Sequence, residues 1–154
     1  MSINWVLMSA DGNDIVPLQN EVIFLREQGV RFELDCSNGG YPGAGFNYSS
    51  KSGTIMLTNQ RIVYLCASPT SFFSSASLPV NNVQDSKLVH SWFSLSPPVF
   101  KAVVMPVPGG GLSQPARLSI TFTTGSVSEF DAQYRSLRER CQGKQERRSF
   151  PASL

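Results

Sequence analysis

Residues 51–66, Lys51-Ser-Gly-Thr-Ile-Met-Leu-Thr-Asn-Gln-Arg-Ile-Val-Tyr-Leu-Cys66, constrain the fold more than any other stretch. Two runs of β-branched, aromatic and long apolar residues flank Asn59-Gln60. Such runs suit a pleated, half-buried surface. Two polar residues between them are a hairpin signal, and Asn tolerates the left-handed conformation that short hairpin turns favour. Gly53 opens the first run, where the absence of a Cβ allows a bend or a close backbone contact. A chain built around this hairpin is committed to an antiparallel sheet.

Other strands follow by the same logic. Residues 21–25 and 30–35 flank a turn at Glu27-Gln28-Gly29 and read as a first hairpin. In the second of them Val30, Phe32 and Leu34 alternate with Arg31, Glu33 and Asp35, the period of a strand with one buried face. Further strands are expected at residues 72–78, 87–95, 100–107 and 117–123, with residues 126–129 completing the sheet. Between them lie a polar connection at residues 80–86 and a triple-glycine tip at Gly109-Gly110-Gly111. Residues 35–52 read as a loop that carries three aromatics, Tyr41, Phe46 and Tyr48. They either pin the loop to the sheet or contact a peptide or lipid.

Near the C-terminus the period changes. Phe130, Tyr134, Leu137 and Cys141 recur at steps of four, three and four, one face of a helix. Ser128 is a candidate N-cap, and Glu129 and Asp131 suit the positive end of the helix dipole. Gly143 is the expected stop. The tail beyond it carries Lys144, Arg147 and Arg148 and is expected to be disordered.

The hairpin pattern Lys51-x-Gly53-Thr54-x-x-Leu57-Thr58-x-x-Arg61-x-x-x-Leu65 resembles the signature of the GRAM domain, a pleckstrin-homology-like fold. Pro98-Val99-Phe100, the triple glycine, residues 118–125 (Leu-Ser-Ile-Thr-Phe-Thr-Thr-Gly) and Glu129-Phe130 resemble the GRAM region of the WW-domain-binding protein 2 family. The resemblance runs from about residue 20 to residue 140. It implies a mainly β barrel or sandwich of about seven to eight antiparallel strands with a C-terminal helix. It divides the chain into an N-terminal arm at 1–19, a domain at 20–142 and a basic tail at 143–154. It also implies a non-catalytic adaptor in the cytoplasm or nucleus, with a link to transcription coactivation. That family's Pro-Pro-x-Tyr ligand for WW domains is missing: Pro97-Pro98-Val99 is followed by Phe100 and reads as the start of a strand.

Composition narrows the chemistry. Hydrophobic residues make up 41% of the 154-residue chain, enough for one ordinary core. A net charge of +2 is too small to indicate sequence-specific nucleic-acid binding. Three cysteines, Cys36, Cys66 and Cys141, are widely spaced and suggest neither a disulfide framework nor a zinc site. With a single histidine, His90, no catalytic constellation, metal site or cofactor motif is expected. No apolar run approaches the roughly 20 residues of a membrane span.

Two kinds of contact remain. Arg26, Arg31, Lys51 and Arg61 are candidates for an anionic lipid headgroup such as a phosphoinositide, opposed by Glu27, Glu33 and Asp35 nearby. Each basic group near an anionic surface contributes about 1 kcal/mol. Trp5, Tyr41, Phe46 and Tyr48 are candidates for protein contact. The apolar patches at residues 5–8 and 15–16 read as an arm packed on the domain edge, or, for Trp5, as part of a contact surface.

Overall fold

A computed structural model describes residues 2–12, 14–36, 47–89, 97–107, 114–123 and 127–149, the last with side chains through Cys141. Among these residues ten strands form two five-stranded antiparallel sheets. The strands are β1 (Ser2–Ile3), β2 (Ile23–Glu27), β3 (Val30–Asp35), β4 (Asn47–Ser50), β5 (Gly53–Thr58), β6 (Arg61–Cys66), β7 (Ser75–Pro79), β8 (Val83–Val89), β9 (Val99–Val104) and β10 (Ala116–Phe122). A 3₁₀ turn, Val80–Asn82, precedes β8, and one helix, α1 (Val127–Ser149), closes the chain. The first sheet has the order β1-β7-β6-β5-β2 and the second β4-β3-β10-β9-β8. The mainly β architecture with a C-terminal helix is the expected one. The strand number exceeds seven to eight because the short segments Ser2–Ile3 and Asn47–Ser50 are also paired.

The central hairpin forms as the sequence indicates, with Met56 opposite Val63 and Leu57 opposite Ile62. Its turn differs in detail. Asn59 is not among the residues with positive φ; Asn4, Asn20 and Asp85 are. The Thr58 hydroxyl holds the turn instead, accepting the Gln60 and Arg61 N–H groups at 3.0 and 2.9 Å. Asn59 reaches outward, accepting the Val22 N–H at 2.8 Å and donating to the Asn20 carbonyl at 2.9 Å. Gly53 is required by close approach. A Cβ there would run into the Leu65 carbonyl oxygen and the Tyr64 ring.

The expected first hairpin is not one. β2 pairs with β5, and β3 pairs with β4 and β10, so Gln28-Gly29 carries the chain from one sheet to the other. Gly29 has φ +69, and its carbonyl accepts the Thr123 hydroxyl at 2.5 Å. Tyr64 fastens the same corner from the first sheet, donating its hydroxyl to the Val30 carbonyl at 2.8 Å. Other boundaries also move. Residues 47–50 are strand rather than loop, and β8 begins at Val83 inside the expected connection. The helix includes residues 127–129, so Ser128 lies in its first turn and not at its cap, and the helix continues through Gly143 to Ser149.

The inner faces share one core, which includes Phe32, Leu34, Ile55, Leu57, Ile62, Tyr64, Phe100 and Ile120. The helical stripe completes it. Phe130, Tyr134 and Leu137 are buried, and Cys141 packs partly buried at its end. Each such side chain stabilises by about 1.5–3 kcal/mol. Phe100 meets Phe130 and Tyr134 edge-on, with centroids 5.1 and 5.2 Å away. The Tyr134 hydroxyl donates to the Val83 carbonyl at 2.9 Å. The helix also lies against β5 of the first sheet, so it spans the two sheets.

Candidate functional site

The residues before β2 form a small structure of their own on the outer face of the first sheet. β1 pairs with β7, setting Ser2 opposite Ser77. Asn4, with φ 67, then turns the chain. Its side chain fastens the turn, donating to the Phe72 carbonyl and accepting the Ser74 N–H. Met8 bridges to Ile15, and the Val16 N–H donates to the Leu7 carbonyl at 2.8 Å. The alternation of an extended segment sorts the side chains. Val6 and Ile15 face the sheet and pack with Met56 and Val63. Trp5 and Leu7 are left facing outward, 80% and 70% exposed. Val16, Leu18 and Val22 add exposed apolar surface along the same segment.

Beside the arm an open groove of about 410 Å³ is lined by Asn4, Val6, Met8, Leu65, Cys66 and Pro69. The size lies in the range of ligand-sized clefts. Burial raises the Cys66 thiol above its ordinary value, so it lines the groove as a neutral group. Tyr48, from β4, stacks on Phe72 with centroids 5.1 Å apart and tilts against Phe73 at 5.7 Å. Tyr48 thus ties β4 to the turn segment before β7, and Phe72, which is half-exposed, sits where the Asn4 side chain meets the chain. Trp5 and Tyr48 are brought to the same end of the molecule by this link. Tyr41 and Phe46 lie outside the described residues.

The candidate cations separate. Arg26 forms an ion pair with Asp14 at 2.8 Å, both groups about half-exposed. Arg31 is exposed on β3, and exposed Lys51 follows β4 one step beyond the Phe32–Ser50 pair. These two end the same pair of strands. Arg61 is a correction. Its side chain is 9% exposed and lies against Glu21, whose side chain is fully enclosed. The Arg61 Nε–H donates to Glu21 Oε2 at 2.8 Å and one terminal N–H donates to Oε1 at 3.0 Å. Other Arg61 donors reach the Ser77 hydroxyl at 3.2 Å and the Val16 carbonyl at 3.5 Å. Burial alone pushes the Glu21 carboxyl up. The Arg61 guanidinium, the Leu18 N–H and the Thr58 hydroxyl outweigh it and hold it below its ordinary 4.5. Arg61 is a clamp between the arm and the hairpin, with no guanidinium presented to a membrane.

Sequence reasoning singled out Trp5 and the apolar patches at 5–8 and 15–16, but not the exposed Leu18, Val22 and Phe72. The Trp5-Val6-Leu7 alternation was the available signal; the pairing of residue 7 with residue 16 was not visible. Phe100 is fully buried on β9 opposite Ile120, and Pro97-Pro98 lead into that strand. Among the described residues no three His, Cys, Asp or Glu side chains converge as metal ligands. His90 lies outside them. No helix among the described residues is long and apolar enough to cross a membrane.

No protein-family model matches the chain, so the likeness to the GRAM region rests on the residues quoted above. The chain is 32% identical over 143 residues to the UPF0664 stress-induced protein C29B12.11c of Schizosaccharomyces pombe. That alignment spans 92% of this chain and 79% of the yeast protein. Among solved structures it resembles the Vps36 N-terminal PH domain, with a TM-score of 0.60 at 18% identity. The match covers 92% of this chain and 96% of that one, and it establishes the pleckstrin-homology-like fold.

Proposed function

The chain belongs to the family of the UPF0664 stress-induced protein, and from its pleckstrin-homology-like fold and its surfaces we infer that it is a non-catalytic adaptor module. A protein partner docks on the N-terminal arm. The observation that carries this reading is the outward-facing Trp5 and Leu7 on a segment fixed to the sheet by backbone pairing. Large apolar side chains gain little by standing in water, and fixing them in place makes a ready contact surface. Rigid aromatic anchors beside a groove are the usual centres of binding energy. The coactivator link remains a finer proposal, drawn from the resemblance of residues 51–66 and 98–130 to the WW-domain-binding protein 2 family.

A second reading is peripheral binding to an anionic membrane through Arg31, Lys51 and Arg26. Its support is that Arg31 and Lys51 are both exposed and adjacent at one strand end. Affinity capture from cell extract separates the two readings. The baits are the wild-type chain, a Trp5→Ser/Leu7→Ser variant and an Arg31→Glu/Lys51→Glu variant, with vesicle sedimentation run beside them. A partner kept by the charge variant and lost by the arm variant supports the adaptor. Headgroup-selective sedimentation at physiological salt, lost only by the charge variant, overturns it in favour of the membrane.

A further inference from the structure

The two sheets differ on their outer faces. The arm covers the first, with Val6 and Ile15 on Met56 and Val63. On the second, β8, β9 and β10 present Lys87, Lys101 and Arg117 around an open groove of about 450 Å³. Strand pairing makes this grouping tight. Lys87 lies directly opposite Lys101, and Lys101 directly opposite Ser119. Arg117 sits two residues from Ser119 on β10, on the same face. Directly opposed side chains have Cβ atoms about 4.5–5.5 Å apart, and like charges so placed destabilise a sheet. Neither lysine has an ion pair among the described residues.

A lysine on an edge strand guards against edge-to-edge pairing, and β8 is an edge, so Lys87 alone needs no ligand. That account does not extend to Lys101 and Arg117, which lie on the interior strands β9 and β10. The groove is also shaped. The β8–β9 register shifts between Gln84 and Lys87, and Asp85 within that bulge adopts φ 54. Bulges re-aim side chains and are treated as built features. Three carboxylates belong to the neighbourhood. Asp85 lines the groove, and across the β10–β3 pair Asp35 faces Arg117 and Glu33 faces Ser119.

We propose that this outer face is a binding site for a phosphomonoester. The dianion sits between the ammonium groups of Lys87 and Lys101, the Arg117 guanidinium supplies paired N–H donors, and the Ser119 hydroxyl donates a further hydrogen bond. Lys87 and Lys101 stand directly opposed with no ion pair among the described residues, and a dianion between them would relieve that like-charge contact. A planar guanidinium matches phosphoryl oxygens bidentately, and lysines serve as point charges. The ligand is either a soluble phosphomonoester or the headgroup of a phosphomonoester lipid. The site lies on the other sheet from the arm and does not depend on the adaptor reading.

The test is a backbone-amide NMR titration of the full chain with glycerol phosphate. Sedimentation with phosphatidylcholine vesicles doped with phosphatidic acid, or equally with phosphatidylglycerol, runs in parallel. Saturable shifts centred on β8, β9 and β10, weakened about tenfold in Lys101→Gln and in Arg117→Gln, identify a soluble ligand. Sedimentation with phosphatidic acid but not phosphatidylglycerol, lost in the same variants, identifies the lipid headgroup. Absence of both, or binding that the two variants leave unchanged, overturns the proposal, as do shifts centred on Arg26, Arg31 and Lys51. Thermal melts keep folding out of the comparison. Lys87→Gln removes the like-charge contact, so its melting temperature is expected at or above that of the wild type, while phosphate binding still weakens.

Discussion

Replacing Glu21 by Ala removes the acceptor for four donors at once: two from Arg61, the Thr58 hydroxyl and the Leu18 N–H. The guanidinium left behind is 9% exposed and keeps only the Ser77 hydroxyl and the Val16 carbonyl. An enclosed charge without its counter-ion costs about 3–5 kcal/mol, whereas breaking an exposed pair costs about 0.2–1 kcal/mol. At a urea slope of about 2 kcal/mol/M, the larger figure moves the unfolding midpoint down by roughly 1.5–2.5 M. The double variant Glu21→Ala/Arg61→Met removes both charges and fills the space with an apolar chain. Most of the loss should return, because replacing a buried pair with apolar groups is often close to neutral. Acid titration supplies a second readout. The folded Glu21 carboxyl lies below its ordinary 4.5. Its contribution is therefore complete above that value and declines as the pH falls through the folded-state pKa. The Glu21→Ala protein should lack that part of the acid slope. A single-variant cost below about 1 kcal/mol, with an unchanged acid limb, would refute the view that this pair clamps the arm.

Three further outcomes follow from the same packing. Gly53→Ala forces a Cβ against the Leu65 carbonyl and the Tyr64 ring, so urea unfolding should show a loss at or above the usual 1–3 kcal/mol or so of overpacking. Tyr64→Phe leaves the Val30 carbonyl without its donor, an expected loss of about 1–3 kcal/mol in the same assay. Burial pushes the Tyr64 hydroxyl up to about 12, so its contribution holds below its ordinary value of 10 and is lost as the pH rises through the folded value. Spectrophotometric titration of Tyr64→Phe should accordingly lack one of the late-ionising tyrosines. Phe130→Ala opens the contact with Phe100 at the helix–sheet junction, and calorimetry should report about 3–5 kcal/mol less stability.

Much of the candidate surface was partly legible. Trp5 stands in an alternating segment, and alternation alone says that it and Val6 face opposite ways. What the segment rests on was not legible, because Met56 and Val63 look like ordinary strand residues until the arm lies over them. The same cover explains Arg61. Both faces of β6 are buried over its first four residues, so a charge that alternation would place in solvent is enclosed. Its partner Glu21 comes from a distant segment with no pattern connecting the two. Lys101 and Arg117 were each readable as outward-facing, but their convergence with Lys87 exists only through strand pairing.

The sequence by itself determined the local elements. A hairpin at residues 51–66 and a helix with Phe130, Tyr134 and Leu137 on one face follow from periodicity and turn chemistry within a few residues. Tertiary structure decided which strands pair. Gln28-Gly29 suits a hairpin turn or a corner between sheets equally well, because both ask the glycine for the same left-handed backbone. The choice was made elsewhere. Val30, Phe32 and Leu34 find their buried partners on β10, near the end of the chain, and the free energy of that burial outweighs any pairing with the strand next door.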